Sequence, residues 1–594
     1  MNIALGALLT VLLTLPAFGH TNKRFLGEFH ADDGARISPV LRQQVASLLQ
    51  QPSYDRPIPV IIRVNRDFFE LNQAARRERG ESLRNALSVI NGYSARLTAA
   101  QIRLLLESEL VEYVTLDAPL RLSGRKEEEE GTGETVSSPM IIGAHLAHDL
   151  GYKGSGITIA LFDSGISDHP DFKRSRIRVT VDFTSGKPVF LDCTTTECDP
   201  YGHGTHIAGV IGGSGRRSYG LYSGVAPKAK YVDVRVVDET GTGRTSNLIA
   251  AIDWVIRNKD KYEIRLANLS LGHPPVESYT QDPLCQAVER MVEAGIVTVA
   301  SAGNLGKTET HPQIWGAIVS PGNDPAVITV SAINTQGTLS HADDIATTYS
   351  SRGPTYLDNL FKPDLSAPGN AVVSTGRSDA WLAKHYPELQ INKYYLQLSG
   401  SSVAAAHVSG AVALMLSAND DLTPRMVKAI LMLTASKLRQ PHMLEQGNGL
   451  VNAYTAVRLA EAVDVRNRSV LGTVEPYWSL DEEMIWAGGA FAFGDKVVYS
   501  ALVDAGAQGE FWGSGVLWID RLLRNTSVFW ADSIFWSDSS IWPENSLRTN
   551  SIFWTDSIFW SDSVLWTDSI FWSDSVLSSN SVFWSDSVIR ADGL

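Results

Sequence analysis

Three polar residues, widely separated along the chain, have the types that nucleophilic acyl transfer requires. Asp163 follows an apolar run, His203 lies between two glycines, and Ser402 stands two residues after Gly400. An acid that orients an imidazole, which in turn takes the proton of a hydroxyl, makes that hydroxyl a nucleophile. Glycine has no Cβ atom and lets backbone or substrate approach closely. The order Asp, His, Ser therefore indicates acyl-transfer chemistry.

The pattern around these residues predicts an α/β domain of about 320 residues. Short β-branched runs alternate with helical patterns, which predicts a parallel sheet with helices on both faces and a site at the carboxyl ends of the strands. The predicted strands are residues 157–162, 231–236, 266–269, 296–299 and 327–330. The predicted helices are residues 246–257, 284–293, 403–416 and 424–433.

The segments that carry the three residues resemble the Asp, His and Ser motifs of the subtilisin family of serine peptidases, in the style of its bacterial AprX-like members. The spacing Gly-x-Ser-x-Ala-x-x-His places Ser402 at the family's serine, although Ser401, Val403 and Ala406 depart from the usual Thr, Met and Pro. The resemblance runs from about residue 143 to residue 463. Further motifs agree in order: Gly224-Val225-Ala226-Pro227, Asn268-Leu269-Ser270-Leu271-Gly272, Ala302-Gly303-Asn304, Ser351-Arg352-Gly353-Pro354, Lys362-Pro363-Asp364 and Gly447-Asn448-Gly449.

The resemblance implies a role for each residue of the site. Ser402 would attack the scissile carbonyl, His203 would take its proton and pass it to the leaving amine, and Asp163 would orient His203. Asn304 would donate its side-chain amide to the oxyanion. Two edge segments would clasp an extended peptide as an added strand. Their residues are Gly241, Thr242 and Gly243 on one side and Ser270, Leu271 and Gly272 on the other.

Several of these assignments have alternatives. Ser401 competes with Ser402 as the nucleophile, and Asn268 could simply cap the end of a strand. His206 and His407 are better interpreted as packed structural histidines than as catalytic groups. An Asp after a strand is usually a cap or a turn residue, so Asp163 gains its catalytic interpretation from the complete set.

Length, charge and cysteine content restrict the class of protein. The chain has 594 residues, 44% of them hydrophobic and 20% charged, which is a globular composition of several domains. A net charge of −14 argues against a nucleic-acid partner, and three cysteines exclude a disulfide-built scaffold. The predicted divisions are a signal peptide at 1–19, a propeptide at 20–122, a linker at 123–139, the catalytic domain at 140–463, a connecting segment at 464–508 and a six-residue β-repeat at 509–594.

The amino-terminal part predicts export followed by maturation. Residues 3–15 are apolar but too short to span a bilayer, and Ala17-Phe18-Gly19 fits a cleavage site. Residues 59–64 and 113–116 have strand patterns, and 68–89 and 98–106 have helical ones. Residues 90–97 resemble the propeptide of the family, a small α+β domain that assists folding and blocks the cleft, with a generic α+β domain as the alternative. The polar run 123–139 indicates an exposed linker where cleavage would be easiest.

The carboxyl-terminal part is a repeat, seen most clearly in Ser551-Ile552-Phe553-Trp554-Thr555-Asp556 and the units that follow it. Ten of the 15 tryptophans fall between Trp512 and Trp584. A period of six gives no apolar stripe on a helix, but in a strand each Trp lies on one face, so the repeat predicts β structure and a β-solenoid. The alternative is an unfolded, aggregation-prone tail.

Cofactors and partners follow from the same residues. No His and Cys spacing indicates zinc, and no cofactor is required by the predicted chemistry. Asp171 matches a position that binds structural calcium in some relatives, although the loop at 213–222 lacks the expected pattern. Cys193 and Cys198 are placed to close a small disulfide loop in an oxidising compartment, which would leave Cys285 free. The expected partners are polypeptide substrates and the chain's own propeptide, with no nucleic acid and no membrane span.

The sequence thus predicts a secreted serine endopeptidase made as a self-processing zymogen, extracellular, periplasmic or held at the cell surface by its repeat. One alternative is a catalytically silent subtilase whose cleft binds peptides. Another gives the repeat the main role, as a surface or matrix module. Substrate preference is not evident from the sequence.

Overall fold

The computed structural model describes residues 36–49, 56–78, 85–122, 136–194, 197–308, 310–436 and 438–464, together with short strands between residues 469 and 591. The predicted signal peptide at 1–19 lies outside the described residues, as does the predicted linker as far as residue 135. The helix Ser138–Ile141 begins within the last part of that linker, and Ser138 and Pro139 are buried.

The amino-terminal domain is a four-stranded antiparallel sheet with helices against it. The strands lie in the order Ala86–Leu87, Gly92–Leu97, Ile58–Val64 and Val111–Leu116. The helices are Pro39–Leu49, Arg66–Glu78 and Ala99–Leu106. Thr98 starts the third helix with a capping box to Gln101, which satisfies two backbone donors at that end.

The predicted helix over 68–89 is wrong at residues 85–89, and residues 79–84 lie outside the described residues. A helix covers Arg66–Glu78, but the chain then forms the edge strand Ala86–Leu87 and a short 3₁₀ helix at Ser88–Ile90. Leu87 and Ile90 pack against the neighbouring catalytic domain, so tertiary burial determines their conformation.

The catalytic domain is built on a nine-stranded, mainly parallel sheet. Its order is Ile345–Ala346, Ile328–Asn334, Val297–Ser301, Ile264–Leu269, Thr158–Asp163, Lys230–Arg235, Ile177–Asp182 and Val189–Phe190, with Leu365–Pro368 beside Ile328–Asn334. The central strand Thr158–Asp163 is buried at every position. Burial on both faces explains the nearly continuous apolar character of these strands, as the sequence predicts.

Helices cover both faces of this sheet. In the central strand, Ile159 and Leu161 point to one core cluster, and Ala160 and Phe162 to the other. The first core includes the helices His203–Gly212, Ser401–Ala418, Pro424–Thr434 and Ala453–Ala462; the second includes Thr245–Arg257 and Pro283–Glu293. Among the described residues, Ser401–Ala418 is the one helix long and apolar enough to cross a membrane, and 89% of it is buried inside the domain.

The described strands of the repeat pair in parallel, in register with its period. Phe553 pairs with Phe571 and Leu565 with Phe583, so paired positions lie 18 residues, or three units, apart. The first pair, Phe529 with Phe553, spans 24 residues. Both spacings are whole multiples of the six-residue unit, as stacking of such units requires. The closed solenoid stays a prediction.

Candidate active site

The fold brings Asp163, His203 and Ser402 together at the carboxyl edge of the parallel sheet. His203 Nδ1 lies 2.8 and 3.0 Å from the two carboxylate oxygens of Asp163, and His203 Nε2 lies 3.1 Å from Ser402 Oγ. All three side chains are fully buried. The acid thus holds one ring nitrogen while the other faces the hydroxyl, which is the arrangement of a charge-stabilised nucleophile.

Local backbone geometry explains how the acid and the imidazole reach these positions. Asp163 is the last residue of its strand, and its Oδ1 accepts a hydrogen bond from the N–H of Ser164 at 2.8 Å. Gly165, with φ +111°, passes so close to the Cys198 carbonyl that a Cβ atom would lie 1.9 Å from its oxygen. This position therefore requires glycine, as the sequence pattern suggested.

The structure distinguishes the two adjacent serines. The helix Ser401–Ala418 begins with both, but only Ser402 Oγ faces His203, whereas Ser401 Oγ donates to Asn304 Oδ1 at 3.0 Å. Ser401 N–H also donates to Asn304 Oδ1, and Ser401 Oγ accepts from the N–H of Gly303. Ser401 therefore orients the Asn304 amide, and that amide's Nδ2 is the end suited to donate to an oxyanion.

Asn268 and Ser270 form a second polar chain beneath the nucleophile. Ser409 Oγ donates to Asn268 Oδ1 at 2.8 Å, and Asn268 Nδ2 donates to Ser270 Oγ at 2.9 Å. Ser270 Oγ in turn donates to the Ser402 carbonyl at 3.1 Å. Asn268 thus does more than cap a strand, because it fixes the hydroxyl that supports the backbone of Ser402.

The two predicted edge segments clasp a strand of the chain itself. Pro119–Leu122 lies antiparallel between Thr242–Arg244 and Leu271–Gly272, so that Thr242 pairs with Arg121 on one side and Leu271 with Leu122 on the other. Leu120 is completely buried and Arg121 is exposed. This strand leads out of the amino-terminal domain and occupies the cleft beside the catalytic residues.

His206 and His407 are packed in the interior, as the sequence suggests. His206 Nε2 lies 3.1 Å from the Val372 carbonyl, and burial lowers the pKa of His206 to about 3. His407 lies 3.0 Å from the Val403 carbonyl and 2.7 Å from Ser138 Oγ, and burial lowers its pKa to about 4. Both rings are therefore neutral near pH 7.

Asp199 is a supporting residue that sequence reasoning missed. Its fully buried carboxylate accepts hydrogen bonds from Ser164 Oγ at 2.7 Å, from Gly202 N–H at 2.7 Å, and from the N–H and Oγ1 of Thr205 at 2.8 and 2.6 Å. It thus links the Asp163 turn to the start of the His203 helix. The available signal was an acid four residues before His203.

Cys193 and Cys198 form a disulfide, with 5.5 Å between their Cα atoms, and the loop that they close ends next to Asp199. Cys285 is free and buried, and burial raises the pKa of its thiol well above the ordinary value. A protonated, inaccessible thiol is unreactive, so Cys285 has the properties of a core residue.

Asp171, where the sequence suggests a structural calcium ion, is bonded to protein donors, and calcium at this position stays a prediction. Its Oδ2 accepts a hydrogen bond from the Tyr395 hydroxyl at 2.7 Å, and its Oδ1 accepts from Arg217 N–H at 3.0 Å. The side chain is buried, and across the described residues no group of three or more His, Cys, Asp or Glu side chains could hold a metal ion. Each Asp171 carboxylate oxygen therefore accepts at least one hydrogen bond from the protein itself.

From this geometry we expect thermal stability to depend on the Tyr395 hydroxyl more than on a cation at Asp171. A bound ion would stabilise the folded state by mass action, so its removal by EDTA would lower the melting temperature. Replacing Tyr395 with Phe should instead lower stability by about 1 kcal/mol, because a buried acceptor loses its donor. Calorimetry of the wild type with and without EDTA, beside Tyr395→Phe, checks both. A clear EDTA shift reversed by added calcium would show that a cation binds.

Comparison with known proteins agrees with this geometry. The model of the subtilase family matches residues 154–450, and the peptidase inhibitor I9 model matches residues 42–123. Serine protease AprX of Bacillus subtilis is 32% identical over 395 residues, covering 65% of this chain and 83% of that protein. Subtilisin Savinase of Lederbergia lenta is 32% identical over 315 residues, 53% of this chain and 96% of that protein.

A solved structure shows the same fold. Fervidolysin of Fervidobacterium pennivorans, a keratinolytic enzyme related to subtilisin, matches with a TM-score of 0.51 and 22% identity over 68% of this chain and 61% of its own. The hydrogen-bonded Asp, His and Ser, the cleft between two edge strands and the family matches agree with one another. The chain therefore belongs to the subtilase family of serine endopeptidases and carries an I9 inhibitor domain ahead of its catalytic domain.

Proposed function

We propose that this chain is an exported serine endopeptidase that hydrolyses peptide bonds of proteins through an acyl-enzyme on Ser402 and processes its own propeptide. The observation that carries the proposal is the alignment of Ser402 Oγ, His203 Nε2 and the Asp163 carboxylate, at 3.1 and 2.8 Å, beside a cleft that already holds an extended strand. Positioning and charge stabilisation of this kind supply most of the rate of acyl transfer.

In the proposed reaction, Ser402 Oγ attacks the carbonyl carbon of the scissile bond while His203 Nε2 accepts the hydroxyl proton. The Asp163 carboxylate stabilises the imidazolium that forms and stays ionised. His203 then gives the proton to the leaving amine, which departs and leaves an ester on Ser402. Water enters, gives a proton to His203 Nε2 and attacks the ester carbon. As the resulting intermediate collapses, the bond to Ser402 Oγ breaks, His203 returns the proton to that oxygen, and the acid product leaves.

The oxyanion of each tetrahedral intermediate would be held by Asn304 Nδ2 and the backbone N–H of Ser402. The supporting observation is the hold on the Asn304 side chain, whose oxygen accepts from both the N–H and the Oγ of Ser401. An amide oriented before the reaction begins does not have to reorganise as negative charge develops.

Self-processing is supported by the strand in the cleft. The strand Pro119–Leu122 ends where Leu122 pairs with Leu271, and Ser270, next along that edge, hydrogen-bonds to the Ser402 carbonyl. A substrate bound in the same register would place its next residue opposite Ser270, and the next residue of this chain is Ser123, which lies outside the described residues. The bond expected to be cut therefore joins Ser123 to Gly124.

The experiment is the intact mass and amino-terminal sequence of the secreted protein, wild type beside Ser402→Ala. The wild type should begin at Gly124, or downstream of it after trimming, and Ser402→Ala should keep residues 20–123. Identical cleavage of both chains would contradict self-processing, and a first cut upstream of Leu122 would contradict the register.

Export is proposed from two features. Residues 1–19 have the apolar core and small-residue end of a signal peptide, and a disulfide such as Cys193–Cys198 persists in oxidising compartments. An extracellular protease also requires a latent form inside the cell, which agrees with an inhibitor domain ahead of the catalytic domain.

At the interface between the two domains, one carboxylate of each domain accepts hydrogen bonds from the other domain. Asp117 of the inhibitor domain accepts from Ser246 N–H and Ser246 Oγ, both at 2.9 Å, at the start of the helix Thr245–Arg257. Glu277 of the catalytic domain accepts from the Tyr113 hydroxyl at 2.9 Å. Ile61 packs against the catalytic domain, while Val60 and Ile62 on the other face fill the inhibitor domain's own core.

We expect the inhibitor domain to bind more weakly as pH rises. Burial, with a smaller effect of Asp282, raises the pKa of Glu277 to about 8, although Tyr113, Thr115 and Arg63 favour its ionised form. With a raised pKa, Glu277 holds its proton more tightly in the complex than in the separated catalytic domain. The contribution of protonated Glu277 to binding of the inhibitor domain is complete below its ordinary pKa of about 4.5 and is lost as pH rises through about 8.

The measurement is the fraction of cleaved inhibitor domain that stays bound to the processed enzyme between pH 5 and pH 9, by size-exclusion chromatography. The dissociation constant should rise by about tenfold or more across this range, since each unit of retained pKa shift is worth tenfold. Glu277→Gln should flatten the dependence, and Glu293→Gln, at an exposed ion pair, serves as the control. Equal pH dependence in all three proteins would contradict the assignment to Glu277.

A further inference from the structure

We propose that Tyr201, backed by Trp381, forms a wall of the subsite for the second residue before the scissile bond and makes the enzyme select a bulky apolar side chain there. This inference rests on the proposed endopeptidase function and names a substrate preference of the same site. Tyr201 is a specificity-determining residue in this proposal, and Trp381 is a positioning residue that acts through it.

Tyr201 lies between the catalytic histidine and one edge of the cleft. It precedes His203 by two residues and is 9% exposed. Its ring packs against Gly241, where a Cβ atom would lie only 2.7 Å from the ring's Cζ. Gly241 directly precedes Thr242, which pairs with Arg121 of the strand in the cleft. The phenol ring therefore fills space that a side chain at position 241 would otherwise take.

The strand in the cleft places Leu122 beside Gly241. Because Arg121 pairs with Thr242 and Leu122 with Leu271, Leu122 lies between the two edges next to Gly241. Successive side chains of a strand alternate, so Leu122 shares the enzyme-facing side with the buried Leu120, opposite the exposed Arg121. Leu122 is half-buried and packs against both apolar cores of the catalytic domain, one of which includes Tyr201. The proposed cut after Ser123 makes Leu122 the second residue before the scissile bond.

A separate segment holds the Tyr201 ring in place. Trp381 stacks on Tyr201 with 5.3 Å between ring centroids and 23° between planes, and His385 stacks on Trp381 at 4.0 Å and 21°. The backbone of the same segment is bonded to the histidine loop, since Trp381 N–H donates to the Pro200 carbonyl at 2.8 Å and Leu382 N–H to the Tyr201 carbonyl at 3.0 Å.

The close approach of the two segments leaves the ring little freedom. A Cβ atom at Gly202 would lie 2.8 Å from the Cβ atom of Ala380, so the loop before His203 and the start of the helix Trp381–His385 are in direct contact. The Tyr201 ring is stacked on Trp381, and two backbone hydrogen bonds join the segments that carry the two rings. The ring therefore presents a rigid surface. A rigid apolar wall rewards a side chain that covers it and discriminates against one that is short or charged.

The test compares peptides that differ at one position. Three internally quenched peptides carry the sequence of residues 119–126, with Leu, Ala or Asp at the position of Leu122. They are assayed with the mature, self-processed wild type and with Tyr201→Ala, Trp381→Ala and Tyr356→Ala. Tyr356 is 65% exposed and belongs to neither edge strand of the cleft, so it provides the matched control.

The wild type should prefer the Leu peptide over the Ala peptide by about tenfold or more in kcat/KM, the range available to an apolar pocket. It should cleave the Asp peptide least. Tyr201→Ala should bring the Leu-to-Ala ratio close to one, Trp381→Ala should lower it part of the way, and Tyr356→Ala should keep the wild-type ratio. Tyr201→Leu, which retains an apolar surface, should recover part of the preference.

A Leu-to-Ala ratio near one in the wild type, or an unchanged ratio in Tyr201→Ala, would overturn the subsite assignment while leaving the endopeptidase function intact. If Tyr201→Ala yields no mature enzyme, Trp381→Ala and Tyr201→Leu take its place in the test. The proposal is overturned if both of these variants have the same Leu-to-Ala ratio of kcat/KM as Tyr356→Ala. If no peptide is cleaved faster by the wild type than by Ser402→Ala, the endopeptidase function itself fails, and the subsite assignment with it.

Discussion

Replacing Ser402 with Ala is expected to reduce turnover by about 10⁶-fold, a magnitude established for subtilisin, a relative of this chain. The Ser402 oxygen is the atom that would bond to the substrate carbonyl carbon. Its proton is the one that His203 Nε2, 3.1 Å away, would accept in that step. Binding and oxyanion stabilisation would remain, so activity should not fall fully to the uncatalysed rate.

The inhibitor domain must be removed equally from both proteins for this comparison. A recognition site for an unrelated protease, placed within residues 123–135, frees the catalytic domain of the wild type and of Ser402→Ala alike. Ser417→Ala is the matched control, because Ser417 lies on the same helix and its hydroxyl donates to the Leu414 carbonyl, far from His203. Peptidase activity of Ser402→Ala within tenfold of the control would contradict the assignment of the nucleophile.

Replacing Asn304 with Ala is expected to lower kcat by about 10²–10³-fold with little change in KM, as in subtilisin for the matching amide. The amide would interact strongly only with the oxyanion, which exists in the transition state and not in the bound substrate. An interaction of that kind contributes to kcat and not to ground-state binding.

Steady-state kinetics on the mature enzyme tests this expectation. Ser401→Ala should cause a smaller loss of kcat, because Ser401 N–H still holds Asn304 Oδ1 after its hydroxyl is gone. Asn392→Ala, at the exposed end of the strand Gln390–Asn392, is the control for a lost Asn side chain. A raised KM with unchanged kcat in Asn304→Ala would show that the amide binds substrate and not the oxyanion.

Much of the fold was predictable because its signals are local. The buried strand Thr158–Asp163 and the helix Thr245–Arg257 each differ by about one residue from their predicted bounds. Their β-branched and amphipathic patterns reflect burial, which repeats along a short stretch of chain. The predicted helix over 68–89 was wrong at residues 85–89, because Leu87 and Ile90 are placed by contacts with a domain far away in sequence.

By itself, the sequence predicted the site, because Asp163, His203, Ser402 and Asn304 carry motifs whose types, order and neighbouring glycines point to one chemistry, and it left Ser401 as the alternative nucleophile. Only the tertiary structure decided which serine faces His203, that Asp199 links the Asp163 turn to the His203 helix, and that Tyr395 and Arg217 occupy the oxygens of Asp171. It also decided that Leu122 lies in the cleft level with Gly241 and near Tyr201. The physical reason is that a motif records which groups a reaction needs. Hydrogen-bond direction and packing instead depend on distances between segments that fold together from distant parts of the chain.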